Sequence, residues 1–86
     1  MAEVTIYTTG YCPYCHAAKT LLTGKGIVFR EIDVTSDAAE RARLVERTGG
    51  RRTVPQVFVD GQSIGGYDEL AELDDGGQLD VLLSGA

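Results

Sequence analysis

The 86 residues predict an α/β fold, a four-stranded mixed sheet covered by helices in the order β-α-β-α-β-β-α-α. Three observations carry that prediction. A strand-like run, a helix-like run and a second strand-like run succeed one another from the start of the chain, which implies parallel strands joined by a right-handed crossover. Asp60-Gly61 sits between two short extended segments and marks a tight antiparallel hairpin. Glycines fall at the junctions between segments, where chains turn.

Residues 3–8 form the first strand, with Val4 and Ile6 on one face and Gly10 closing it. From Pro13 to about Thr23 the composition changes to helix formers, Ala18 and Leu22 lie at i, i+4 beside Ala17 and Leu21, and Gly24 and Gly26 end the helix. Residues 27–34 are rich in β-branched side chains and form the second strand. Asp37 and Glu40 have capping-box spacing and open a helix running to about Thr48, with Ala38, Ala42 and Val45 as its apolar stripe. Glu40, Arg41, Arg43, Glu46 and Arg47 then form its solvated face, and Gly49-Gly50 stops it. Val57-Phe58-Val59 and Gln62-Ser63-Ile64 flank Asp60-Gly61, whose residue types suit a type I′ turn. Leu70 and Leu73, then Leu79, Leu82 and Leu83, give two short helices around Gly76-Gly77.

A hydrophobic share of 43% and a charged share of 24% are those of an ordinary globular chain, so one domain over residues 1–86 is expected. No apolar run approaches the roughly 20 residues a bilayer requires, which argues against a membrane partner. A net charge of −5 lacks the basic footprint that nucleic acid demands. Met1-Ala2-Glu3-Val4 has neither a basic nor an apolar leader region. Only two cysteines are present, three residues apart, and a bridge closing so short a loop is a poor structural staple. A reducing, cytoplasmic setting and a redox-active pair are the expectation.

Cys12-Pro13-Tyr14-Cys15 lies where the first strand hands over to the first helix, at the carboxyl end of a strand, where open α/β sheets place their sites. Residues at i and i+3 of a helical turn stand about 5–6 Å apart at Cβ, close enough for a reversible disulfide. Pro13 suits the first helical position, which puts Cys12 at the cap, where unpaired N–H groups stabilise a thiolate. Cys12 is the expected nucleophile and Cys15, one turn inside, the resolving thiol. His16 projects about 100° around the helix from Cys15 and reads as a surface residue rather than a base. A structural zinc site needs four ligands, and the chain lacks a second Cys or His pair, so no metal site is expected.

Cys12-Pro13-Tyr14-Cys15, Thr53-Val54-Pro55 and Gly65-Gly66-Tyr67-Asp68 resemble, in order, the three signature segments of the glutaredoxin family. The resemblance spans nearly the whole chain and is closest to the short bacterial dithiol members. It implies a thioredoxin-like fold and glutathione as reductant and co-substrate, with no tightly bound cofactor. Glutathionylated proteins and disulfide substrates follow as partners, with glutathione reductase acting indirectly through glutathione, and the chain working as a monomer.

The resemblance also places the ligand. It implies a cis bond before Pro55, which turns the Val54 backbone toward the cysteines to pair with the cysteine of glutathione, as a strand pairs with an extended peptide. Thr53 belongs to the same segment. Gly66, Tyr67 and Asp68 open a helix whose free N–H groups receive the glutamyl end. Asp68 either pairs with the glutamyl ammonium or serves as an N-terminal helix acid. Tyr14 lines the groove, and Tyr67 is either part of it or ordinary surface packing. Family members commonly carry a lysine three residues before the nucleophile, where this chain has Thr9. Arg51 and Arg52 either replace that charge or are solvated loop charges.

Two routes follow: Cys12 alone reduces glutathione mixed disulfides, and Cys12 with Cys15 reduces protein disulfides. The alternatives are a glutathione-ligated iron–sulfur carrier, with Cys12 from each of two chains, and a reductant fed by thioredoxin reductase.

Overall fold

The computed structural model describes residues 2–84, so residues 1, 85 and 86 of the expected domain lie outside the described residues. The chain forms β1 (Val4–Thr8), α1 (Pro13–Gly24), β2 (Phe29–Asp33), α2 (Ala38–Arg47), β3 (Gln56–Val59), β4 (Gln62–Gly65), α3 (Tyr67–Asp75) and α4 (Gln78–Leu83). The sheet order is β2-β1-β3-β4, with β1 parallel to β2 and antiparallel to β3, and β3 antiparallel to β4. The expected element order and the mixed sheet are both present.

The sheet is covered on both faces. Val4 and Ile6 of β1 and Val57 and Val59 of β3 pack against Ala18 and Leu22 of α1, Leu70 of α3 and Leu79 of α4. Tyr7, Phe58 and Val34 meet Leu44 of α2 on the other side, with the Tyr7 and Phe58 rings edge to face at 5.5 Å. A central strand enclosed by two layers has little solvated face, which is why β1 alternates only weakly. Asp60 (φ 51°) and Gly61 (φ 80°) both take left-handed backbone, as a type I′ turn requires. The Asp60 carboxylate accepts the Glu3 N–H at 2.9 Å, which ties this turn to the start of β1. No helix among the described residues is long and apolar enough to cross a membrane.

Two local expectations are corrected. The second strand begins at Phe29 rather than residue 27, because Phe29 pairs with Val4 at the first rung of β1. Val28, before that rung, is 87% exposed. In α2, Ala38 and Ala42 face solvent, while Leu44 is fully buried and Arg41, Val45 and Thr48 are half-buried. The helix turns toward the residue whose burial gains most, and a leucine removes far more apolar surface from water than two alanines do. Of the expected solvated face, Arg43, Glu46 and Arg47 are exposed, whereas Glu40 and Arg41 are half-buried, and Arg47 also donates to the Tyr7 hydroxyl at 2.9 Å. Leu44→Ala should therefore lower stability by about 2–5 kcal/mol, the cost of emptying a close-packed leucine site. Ala42→Ser should stay within about 0.5 kcal/mol, both variants being compared with wild type by urea titration.

Candidate active site

α1 begins at Cys12, whose backbone is extended (φ −94°, ψ 114°), and Pro13 occupies its first turn. The Cys12 Sγ takes the place of a capping oxygen and accepts the Cys15 N–H at 3.3 Å. It also faces the Val54 carbonyl at 3.6 Å, to which its thiol donates. One short helix start thus joins the first signature segment to the second.

The two thiols, both free, differ sharply in surroundings. Cys12 is half-buried and Cys15 only 1% exposed. Cys15 continues the buried stripe of Ala18 and Leu22 along α1, so core packing that positions the helix also encloses this sulfur. Burial first, and then its hydrogen bond with Cys12, pushes the Cys15 thiol up to about 11, against a smaller opposing effect of the Thr9 backbone. Cys15 is therefore protonated at neutral pH and must lose its proton before it reacts.

The Val54–Pro55 bond is cis, and Val54 and Pro55 line a groove of about 230 Å³ beside the Cys12 contact. Thr53 lies on the same wall, and Tyr14 and Tyr67 stand across from each other with ring centroids 6.2 Å apart. Gly66 and Asp68, at the start of α3, also line the groove. Arg51 joins the groove, whereas Arg52 is not among its lining residues. Thr9 is buried at 4% exposure, with its carbonyl accepting the Cys12 N–H at 3.4 Å. It is not among the residues that line the groove. His16 is exposed and lies on a separate surface with Lys19 and Thr20.

Sequence reasoning missed two polar residues that build this groove. Buried Gln56 donates through Nε2 to the Thr53 carbonyl at 3.0 Å and to the Thr53 hydroxyl at 3.2 Å, holding the bend before β3. Glu69 accepts the Gly66 N–H at 3.1 Å and pairs with Arg51 at 2.8 Å. A glutamate three residues after a helix cap is a readable capping signal, although its tertiary partner is not. The turn that brings α3 to the groove depends on a register shift opposite Val57 and Phe58, and on Gly65 at φ 121°. A Cβ on Gly66 would stand 3.2 Å from the Pro55 carbonyl oxygen, so the two glycines allow the second and third segments to approach closely.

Known proteins resemble this chain in sequence and in fold. The family model for glutaredoxin matches residues 4–64. Glutaredoxin 3 of Escherichia coli (strain K12) is 53% identical over 83 residues, covering 96% of this chain and 99% of the relative. The buckwheat glutaredoxin–glutathione complex superposes with a TM-score of 0.88 at 32% identity, over 96% of this chain and 77% of that one. The solution structure of glutaredoxin from Brucella melitensis gives a TM-score of 0.85 at 48% identity, over 96% and 89% respectively.

Proposed function

Because the chain belongs to the glutaredoxin family, we propose that Cys12 and Cys15 carry its chemistry in unequal roles, with glutathione seated in the adjoining groove. The chain has a thioredoxin-like fold and is a glutathione-dependent thiol–disulfide oxidoreductase. The observation that carries the assignment of roles is the contrast between an accessible cap sulfur and an enclosed one held protonated.

On a glutathionylated substrate, the Cys12 thiolate attacks the glutathione sulfur. The substrate leaves as a thiolate and takes a proton, and Cys12 becomes glutathionylated. The thiolate of a second glutathione then attacks the glutathionyl sulfur, forming glutathione disulfide and returning the Cys12 thiolate. On a protein disulfide, Cys12 forms the mixed disulfide and Cys15, after losing its proton, attacks the Cys12 sulfur. The substrate leaves fully reduced, and two glutathiones reduce the Cys12–Cys15 bridge.

Glutathione lies in this proposal with its cysteine along the Val54 backbone and its glutamyl end toward Gly66, Tyr67 and Asp68. The grouping of these residues around one groove supports that placement. The form proposed to act is a single-domain monomer. A two-cysteine chain of this kind belongs in a reducing, cytoplasmic compartment. Its partners there are glutathionylated and disulfide-bonded proteins, with glutathione reductase acting through glutathione.

The electron donor tests the reading. Turnover of a small glutathione mixed disulfide is expected with NADPH, glutathione reductase and glutathione. Thioredoxin reductase should support little or none. Efficient turnover from thioredoxin reductase without glutathione would overturn the proposal.

A further inference from the structure

One carboxylate oxygen of Glu69, which lines the groove, accepts from two donors at once: the Gly66 N–H at 3.1 Å and Arg51 Nη1 at 2.8 Å. A helix-start amide and a guanidinium are the groups that most readily hold a carboxylate on a small molecule. We propose that Glu69 is an internal occupant of a ligand carboxylate subsite, so that glutathione must take Arg51 from Glu69 in order to bind. This rests on the reading of the groove as the glutathione site.

The local structure is built to place Glu69 there. Gly65 has no side chain, and a Cβ at that position would come within 2.5 Å of the Glu69 carboxylate oxygen. The missing atom is what lets the glutamate fold back over the start of α3. Arg51 is held from its own side as well: its N–H donates to the Thr48 hydroxyl at 3.0 Å, and that hydroxyl donates to the Leu44 carbonyl at 2.8 Å. The main chain of Arg51 is thereby fixed while its side chain remains 45% exposed and free to exchange partners. The Gly66 N–H first, and then Arg51, hold the Glu69 carboxyl below the ordinary glutamate range, so the pair is ionised at neutral pH.

Charge makes the exchange consequential. Arg51 is the one cation among the groove-lining residues, set against the acids Asp68 and Glu69, and Thr9 brings no further cation. Glutathione carries two carboxylates and one ammonium. Its net negative charge meets a groove whose one positive side chain among the described residues is already paired. The strength of the Arg51–Glu69 pairing limits how tightly a carboxylate ligand is held.

Glu69→Gln separates this role from helix capping, because glutamine also accepts the cap N–H but does not attract the guanidinium as an anion. The KM for glutathione should fall about two- to five-fold, the range a partly exposed ion pair supports. Arg51→Ala should raise KM more in the Glu69→Gln background than in wild type, and added salt should shrink the difference. Glu69→Asp, charged but shorter, should lie between glutamine and wild type. A KM that is unchanged or higher in Glu69→Gln, or an Arg51→Ala effect equal in both backgrounds, overturns the proposal. Failure of wild type to turn over glutathione would instead defeat the proposed function itself.

Discussion

Cys12→Ser should abolish the reduction of both glutathione mixed disulfides and protein disulfides, by roughly 10³-fold or more, because a serine hydroxyl is a poor nucleophile without an adjacent base. The structure offers an internal control for this experiment. Cys12 caps α1 through its Sγ, and serine is among the preferred residues for that position. The variant should therefore keep its fold, with a midpoint of thermal unfolding at or above that of wild type. Loss of activity at full stability assigns the effect to the sulfur. Retention of either activity would show that another group starts the reaction and would remove Cys12 from both routes.

That experiment concerns the part of the site that was most legible in advance. A cysteine before a proline at a strand-to-helix junction predicts its own cap, since local geometry alone puts its sulfur over the first amides of α1. The hairpin was equally local: Asp60 and Gly61 carry the left-handed backbone within two residues. The face of α2 was harder to read. Ala38, Ala42 and Val45 make a regular stripe, but so do residues centred on Leu44, and only the position of the sheet beneath the helix selects between them. Arg47 is exposed as expected, but its tertiary hydrogen bond was hidden for the same reason. Its partner, Tyr7, is distant in sequence and comes within reach only once α2 has packed over the sheet. The Arg51–Glu69 pair is of this kind too, joining the loop before β3 to the start of α3 through a turn that no periodicity encodes.

Cys15→Ser should divide the two activities. A glutathione mixed disulfide needs only one protein thiol, and the groove beside Cys12 is left intact, so its reduction should persist within a few-fold of wild type. Reduction of a protein disulfide has no such bypass, because the intermediate joins Cys12 to a bulky partner that glutathione must then attack from solution. A thiol held at reaction distance competes at effective molarities of about 10⁵ M or more, far above any concentration of free glutathione, so this route should slow at least about a hundred-fold. A stable mixed disulfide with the substrate protein should accumulate and be visible on a non-reducing gel. Burial, the first cause of the raised Cys15 thiol, persists in the mixed disulfide and adds a pH signature. The resolving step in wild type should quicken as pH rises from 7 toward 9, because more of Cys15 is ionised, whereas the variant's residual protein-disulfide reduction should follow the ionisation of glutathione. Equal loss of both activities in Cys15→Ser would mean that the enclosed thiol supports Cys12 itself, and the division of labour between cap sulfur and core sulfur would have to be abandoned.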